Sequence, residues 1–245
     1  MTQATTSRPA FYALAPGGWR DYATLLHPPY TVWHLSYVTI GAALAPEWRP
    51  GRLALTLTAF FLAVGLGAHA LDELASRPLA TRIPRRVLAA IAASSVVGAC
   101  AIGVVGAVRF DLWLLAFVAV GAFVVCAYNL ELLGGLFHND LTLVLAWGAF
   151  PVLTAYFAAA GRIRGEAVAA AAFAVLGTLA QRRLSTQARL IRRKTLSVSG
   201  TIELTDGRSE PVTAATLVAA PEAALRALSL AMVALAVALV VLRAS

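Results

Sequence analysis

Apolar residues run along this chain in long, nearly unbroken stretches, without the alternating or amphipathic spacing of a soluble domain. A membrane-spanning helix needs about 20 consecutive, mostly apolar residues. Seven stretches compete for that role: Tyr30–Pro46, Leu53–Leu71, Val87–Val108, Leu112–Leu130, Leu141–Gly161, Ala167–Ala180 and Ala219–Leu242. The first follows the breaker His27-Pro28-Pro29, and the sixth is short and alanine-rich. Arg226 lies near one end of the last, where it can snorkel to the interface. Thr195–Thr213 breaks the pattern with period-two alternation and an Asp206-Gly207 turn signal, which predicts a small hairpin. The expected fold is all-α: a polytopic transmembrane helical bundle of about seven spans. Its parts are an N-terminal segment over residues 1–29, six spans over 30–194, a polar loop or hairpin over 195–218 and a final helix over 219–245.

Composition strengthens that reading. The chain is 60% hydrophobic and 13% charged, whereas soluble domains carry about 25% charged residues. This excludes a soluble domain, a disordered chain and a disulfide-stapled secreted module. The net charge is +8, and 19 of the 20 basic residues are arginines set in short stretches between apolar runs. That distribution fits topology determinants and headgroup contacts better than a nucleic-acid-binding face. Summed over alternate loops, 14 basic residues fall on one side and 6 on the other. The positive-inside rule then predicts a multi-pass protein of the cell (inner) membrane with a cytoplasmic N-terminus. Cys100 and Cys126 lie inside apolar runs and read as small core residues. Met1–Arg20 is polar, so no cleavable signal peptide is expected.

Three polar clusters fall on one predicted membrane face, and ionisable groups at or inside spans are functional candidates. The first ends the second span: His69, Asp72, Glu73, Ser76 and Arg77 share a helix face. Such a face suits a hard cation or a proton donor, or is simply a helix end paired through Arg77. The second runs from Tyr128, Asn129 and Glu131 to His138, Asn139 and Asp140, in a loop without lysine or arginine. Asn139 or Asp140 also serves as a helix N-cap. The third follows the sixth stretch: Arg182, Arg183 and Arg189, continuing to Arg192, Arg193 and Lys194. Arginine grips phosphate bidentately, so this run suits a diphosphate or a lipid headgroup, or anchors the chain on anionic lipid. His27 and His34 stand alone in the sequence and read as packing or interfacial residues.

The order of these features resembles the UbiA-type intramembrane prenyltransferase superfamily over about residues 25–195. The segment HPPYTVWHLSYVTIGAAL matches that family's Pro/Trp-rich entry to span one. His69-x-x-x-Glu73-x-x-x-Arg77 stands where the family has an asparagine and two aspartates, and it runs into the Arg77-Pro78-Leu79 segment. Tyr128-Asn129-Leu130-Glu131 and Trp147-Gly148-Ala149-Phe150-Pro151 echo two later motifs. Two departures stand out: Asp72 is one residue out of register, and the second acidic motif falls on Gln181 and Ser185.

The resemblance implies a site that ionises or transfers an isoprenoid diphosphate to a lipophilic acceptor. Asp72 and Glu73 would hold Mg²⁺, one ion rather than two. Tyr128 and Asn129 would orient the acceptor or shield a carbocation. His69, Arg77, Glu131, His138, Asp140, Arg182, Arg183 and Arg189 would contact substrate. The missing second motif leaves a further option, a non-catalytic relative that binds a lipid or quinone.

Overall fold

A computed structural model describes residues 8–245; the start of the expected N-terminal segment, residues 1–7, lies outside the described residues. Helices dominate. A short α1 (Trp19–Leu25) leads into α2 (Pro28–Leu44), which Pro28 and Pro29 open. Then follow α3 (Pro50–Ser76), α4 (Arg85–Arg109), α5 (Leu114–Asn129), α6 (Asp140–Ala160) and α7 (Gly165–Lys194). A two-stranded antiparallel hairpin, β1 (Thr201–Glu203) and β2 (Ser209–Pro211), precedes α8 (Ala214–Ala244).

Five helices are long and apolar enough to cross a membrane: α3, α4, α6, α7 and α8. The chain is therefore built as a membrane-embedded all-α bundle. Two of the seven expected spans fall short of that standard for local reasons. Helix α5 has only 16 residues, because Leu130 leaves the helix and Glu131 takes a left-handed φ of 50°. Helix α2 has 17, bounded by the proline pair before it and Ala45-Pro46 after it.

Helix α2 is the axis of the bundle. Ten of its 17 residues are buried, among them the polar Thr31, His34 and Ser36, so most of its surface is packed against other helices. Trp33, Tyr37, Ile40 and Val152 form one core with Met232 and Ala236 of α8. Val38, Val64, Leu88, Val125 and Trp147 belong to a second core that joins α2 to α3, α4, α5 and α6. The α2–α6 crossing needs Gly41: a Cβ there would lie 2.3 Å from the Val152 carbonyl oxygen.

The structure revises two boundaries. The expected sixth span, Ala167–Ala180, is the first half of an unbroken helix that runs on to Lys194. No glycine or proline interrupts residues 178–194, and arginine, leucine, glutamine and alanine are strong helix formers. The third polar cluster thus lies on a helix and not in a loop. Helix α8 starts five residues before the expected span, where Thr213 and Thr216 close a capping box.

Three stretches are π-helical: Phe61–Ala68 inside α3, Leu145–Ala149 inside α6 and Leu190–Lys194 at the end of α7. Wide turns of this kind are rare and concentrate at functional sites. Each one contributes side chains to the cavity described next.

Candidate functional site

At the end of the bundle that carries the hairpin, a cavity of about 560 Å³ opens between α2, α3, α5, α6, α7 and the N-terminal segment. Its walls include His69, Asp72, Tyr128, Asn129, Glu131, His138, Arg182 and Arg189. Members of all three polar clusters therefore meet in one space. Asp72 lies within electrostatic reach of Arg193, Arg189 and His138.

All four histidines of the chain line this cavity, including His27 and His34, which stand far from any cluster in the sequence. Three of them are oriented by backbone carbonyls. His34 Nδ1 donates to Trp147 O at 2.9 Å, His69 Nδ1 to Gly65 O at 3.2 Å and His138 Nδ1 to Tyr128 O at 3.0 Å. A carbonyl only accepts, so Nδ1 carries the proton, and in the neutral ring Nε2 keeps its lone pair. Two of these carbonyls, Gly65 and Trp147, belong to the π-helical stretches.

The fourth histidine is set differently. His27 stacks on His69 with ring centroids 4.1 Å apart, and its Nδ1 lies 2.8 Å from the Tyr12 hydroxyl. Burial pushes the Tyr12 phenol far above its ordinary range. Burial, then the neighbouring His69, holds the His27 imidazole well below its own. Both groups are neutral, and the tautomer of His27 sets which of the two donates.

Four residues expected at the site face elsewhere. Glu73 is fully buried, and its carboxylate pins the following loop. It accepts from Leu79 N at 3.0 Å, from Thr81 N at 2.8 Å and from Thr81 Oγ1 at 2.8 Å. Arg77 turns through a left-handed φ of 48° and donates to Thr81 O at 2.8 Å and Ile83 O at 3.1 Å. The Arg-Pro-Leu segment is therefore held as a structural loop by its own preceding helix turn. Asp140 does not line the cavity; it pairs with Arg182 at 3.0 Å and steadies that guanidinium at the rim. Arg183 is 74% exposed and lies 3.9 Å from the outer oxygen of Asp140. Asn139 takes the N-cap role, accepting from Thr142 N at 2.9 Å.

These positions test the expected magnesium site. A joint Asp72–Glu73 clamp does not fit, because Glu73 is fully buried away from the cavity and both its oxygens accept from the loop. Among the described residues, no three histidine, cysteine, aspartate or glutamate side chains gather as a metal set. Asp72 alone faces the cavity from the pair. Positive charge at this site comes instead from α7, where Arg182, Arg189 and Arg193 recur at i, i+7 and i+11 on one face.

A second, smaller cavity of about 130 Å³ lies between α3, α4, α5 and α6. It is walled by apolar side chains such as Phe60, Val64, Phe117, Val125 and Phe150. Trp147 lines both spaces and forms the partition between them. Its ring lies 4.7 Å from Tyr128, which in turn stacks on His138 at 4.5 Å. The site thus sets a cationic, histidine-rich chamber against an apolar one across an aromatic wall.

Comparison of the chain with family models, with curated proteins and with solved structures yields no match. The class that the fold defines is a membrane-embedded helical bundle with a polar cavity at one end.

Proposed function

We propose that this chain is an intramembrane enzyme of the UbiA prenyltransferase type, acting on an isoprenoid diphosphate and a lipophilic acceptor. One observation carries the reading: Arg182, Arg189 and Asp72 line a polar cavity that shares Trp147 with an apolar one. An amphiphile with an anionic head and a hydrocarbon chain matches that pair of spaces. The arginines bind the diphosphate and stabilise the charge that develops as it departs with the bonding electrons. The faces of Tyr128 and Trp147 line the wall where the prenyl cation forms. The acceptor's bond forms there, and its proton passes to a histidine Nε2. Asn129, whose amide nitrogen donates to Val125 O at 2.7 Å, turns its oxygen to the acceptor.

In this reading α2 and α5 complete seven spans, and the arginine-rich end lies in the cytoplasm of a cell membrane with the N-terminus. Neutralisation by α7 takes the place of a two-carboxylate magnesium clamp. The alternative, a non-catalytic lipid- or quinone-binding relative, is favoured by one observation, the withdrawal of Glu73 into the loop.

The test is thermal unfolding of the detergent-purified protein against geranylgeranyl diphosphate, with and without Mg²⁺. Ligands that bind only the folded state raise Tm by mass action. A rise that Arg189→Ala removes, whether or not Mg²⁺ is present, supports the arginine-based site and licenses an acceptor screen. No rise with diphosphates of several chain lengths hands the reading to the non-catalytic relative.

A further inference from the structure

The N-terminal segment forms part of the cavity wall, and Pro9, Ala10, Phe11 and Tyr12 line it directly. Its inner half is fastened firmly. Leu14 N donates to Thr24 Oγ1 at 3.0 Å, and Gly17 N donates to Asp21 Oδ1 at 2.9 Å. The other oxygen of the buried Asp21 receives Arg82 N at 3.0 Å, which ties this segment to the loop before α4. Ala10 and Ala13, nearer the start of the chain, pack on Leu79 of that same loop, a contact that opens when that part of the segment moves.

The outer half is held otherwise. Arg193 of α7 donates Nε–H to the Pro9 carbonyl at 2.9 Å. The Phe11 ring lies under the Arg226 guanidinium at 5.1 Å. A guanidinium beside a cavity that already holds Arg182 and Arg189 is thus engaged by a neutral peptide oxygen. An ionised oxygen is the stronger partner, because it adds charge–charge attraction to the donor bond, which a neutral carbonyl lacks.

We propose that Arg193 is an anion-binding residue of the cavity, and that residues 8–13 are a strap whose Pro9 carbonyl competes for it with a phosphate-class anion. The inference rests on the anion-binding reading above and adds a ligand residue and a coupling to it. An incoming phosphate takes Arg193 from Pro9, and the strap swings about the fixed Leu14–Asp21 anchor. Tyr12 sets how strongly the strap competes: its hydroxyl is bonded to His27, and its ring packs on Tyr30 at 5.7 Å. Competition has a sign. Loosening the strap raises the fraction of chains ready for the anion, so the apparent Kd falls in proportion. A lid that closes over its ligand gives the opposite sign.

The experiment titrates inorganic pyrophosphate into the full chain in detergent, reading Kd by calorimetry and the strap by hydrogen exchange. The Ala13 amide, bonded to the Ala10 carbonyl at 3.1 Å, is the reporter. Pyrophosphate should speed exchange at Ala13. Tyr12→Phe should tighten binding about threefold, and Phe11→Ala should shift Kd in the same direction. Arg193→Ala should weaken binding about tenfold, the factor of one charge-assisted hydrogen bond. Slower exchange, or weaker binding in the Tyr12 and Phe11 variants, overturns the strap. Binding that Arg189→Ala abolishes but Arg193→Ala leaves intact overturns the role of Arg193 while the cavity's anion reading stands. If neither wild type nor Tyr12→Phe binds pyrophosphate, both readings fall.

Discussion

Replacing Glu73 with alanine removes the acceptor of three donors at once. Leu79 N, Thr81 N and Thr81 Oγ1 all end on its two carboxylate oxygens, inside a site with 0% exposure. A hydrogen bond to a charged group contributes about 1.5–3 kcal/mol, and each buried donor left without a partner costs about 1–3 kcal/mol. The three losses overlap, since one loop carries all of them and water reaches its outer edge. The expected destabilisation is about 3–5 kcal/mol, or roughly a 10 °C fall in Tm for a chain of this length. Glu73→Gln keeps an acceptor for the Thr81 pair but turns an amide N–H₂ toward Leu79 N, so its cost should be about 1–3 kcal/mol. The assay is thermal unfolding in detergent, paired with diphosphate binding on each variant. Asp72→Ala is the contrast: it should leave Tm nearly unchanged and alter binding, because Asp72 faces the cavity. The opposite result is a Glu73→Ala variant that keeps its Tm while a Mg²⁺-dependent diphosphate affinity collapses. That outcome would make the carboxylate a metal ligand and not a loop pin.

Three other outcomes follow from the same geometry. His27 is held below its ordinary value of about 6.5 by burial and by His69, so the folded chain resists a proton that the unfolded chain accepts. Stability is therefore full above about pH 6.5 and falls as pH drops below it; His27→Asn, which tolerates the left-handed φ of 46°, should flatten the Tm-versus-pH curve over that range. Gly41→Ala should cost about 3 kcal/mol, because its Cβ would meet Val152 O at 2.3 Å, whereas Gly51→Ala, with nothing within 4 Å, should be neutral or slightly stabilising in the same melting assay. Arg182→Ala should weaken pyrophosphate binding by about tenfold, and the exposed Arg183→Ala by less than about twofold, as read by calorimetry; equal losses would show a diffuse charge effect instead.

Much of the architecture was legible before any coordinate. The long apolar runs marked helices in every place where the structure has a membrane-scale helix, and the alternation near Asp206-Gly207 marked the hairpin. The third polar cluster was legible in composition but misplaced: helix propensity carries α7 through Lys194, which sets its arginines at fixed angles on one face. The first cluster misled for the opposite reason. Spacing alone puts Asp72 and Glu73 side by side, yet the turn at Arg77 brings the next loop back under Glu73 and leaves only Asp72 in the cavity.

What this sequence determined by itself was its environment and its helices. Both follow from the free energy of placing each side chain and each peptide group in lipid or water, terms that act locally and can be read along the chain. Only the tertiary structure decided which polar groups share a cavity. His27 and His34 gave no linear signal, and Trp147 gave no hint that it divides two spaces. Their roles arise where α2 crosses α6 at Gly41 and where a π-helical turn of α6 offers the Trp147 carbonyl to His34. Those contacts join residues up to 113 positions apart. They are set by the packing of several helices together, so no window along the chain contains them.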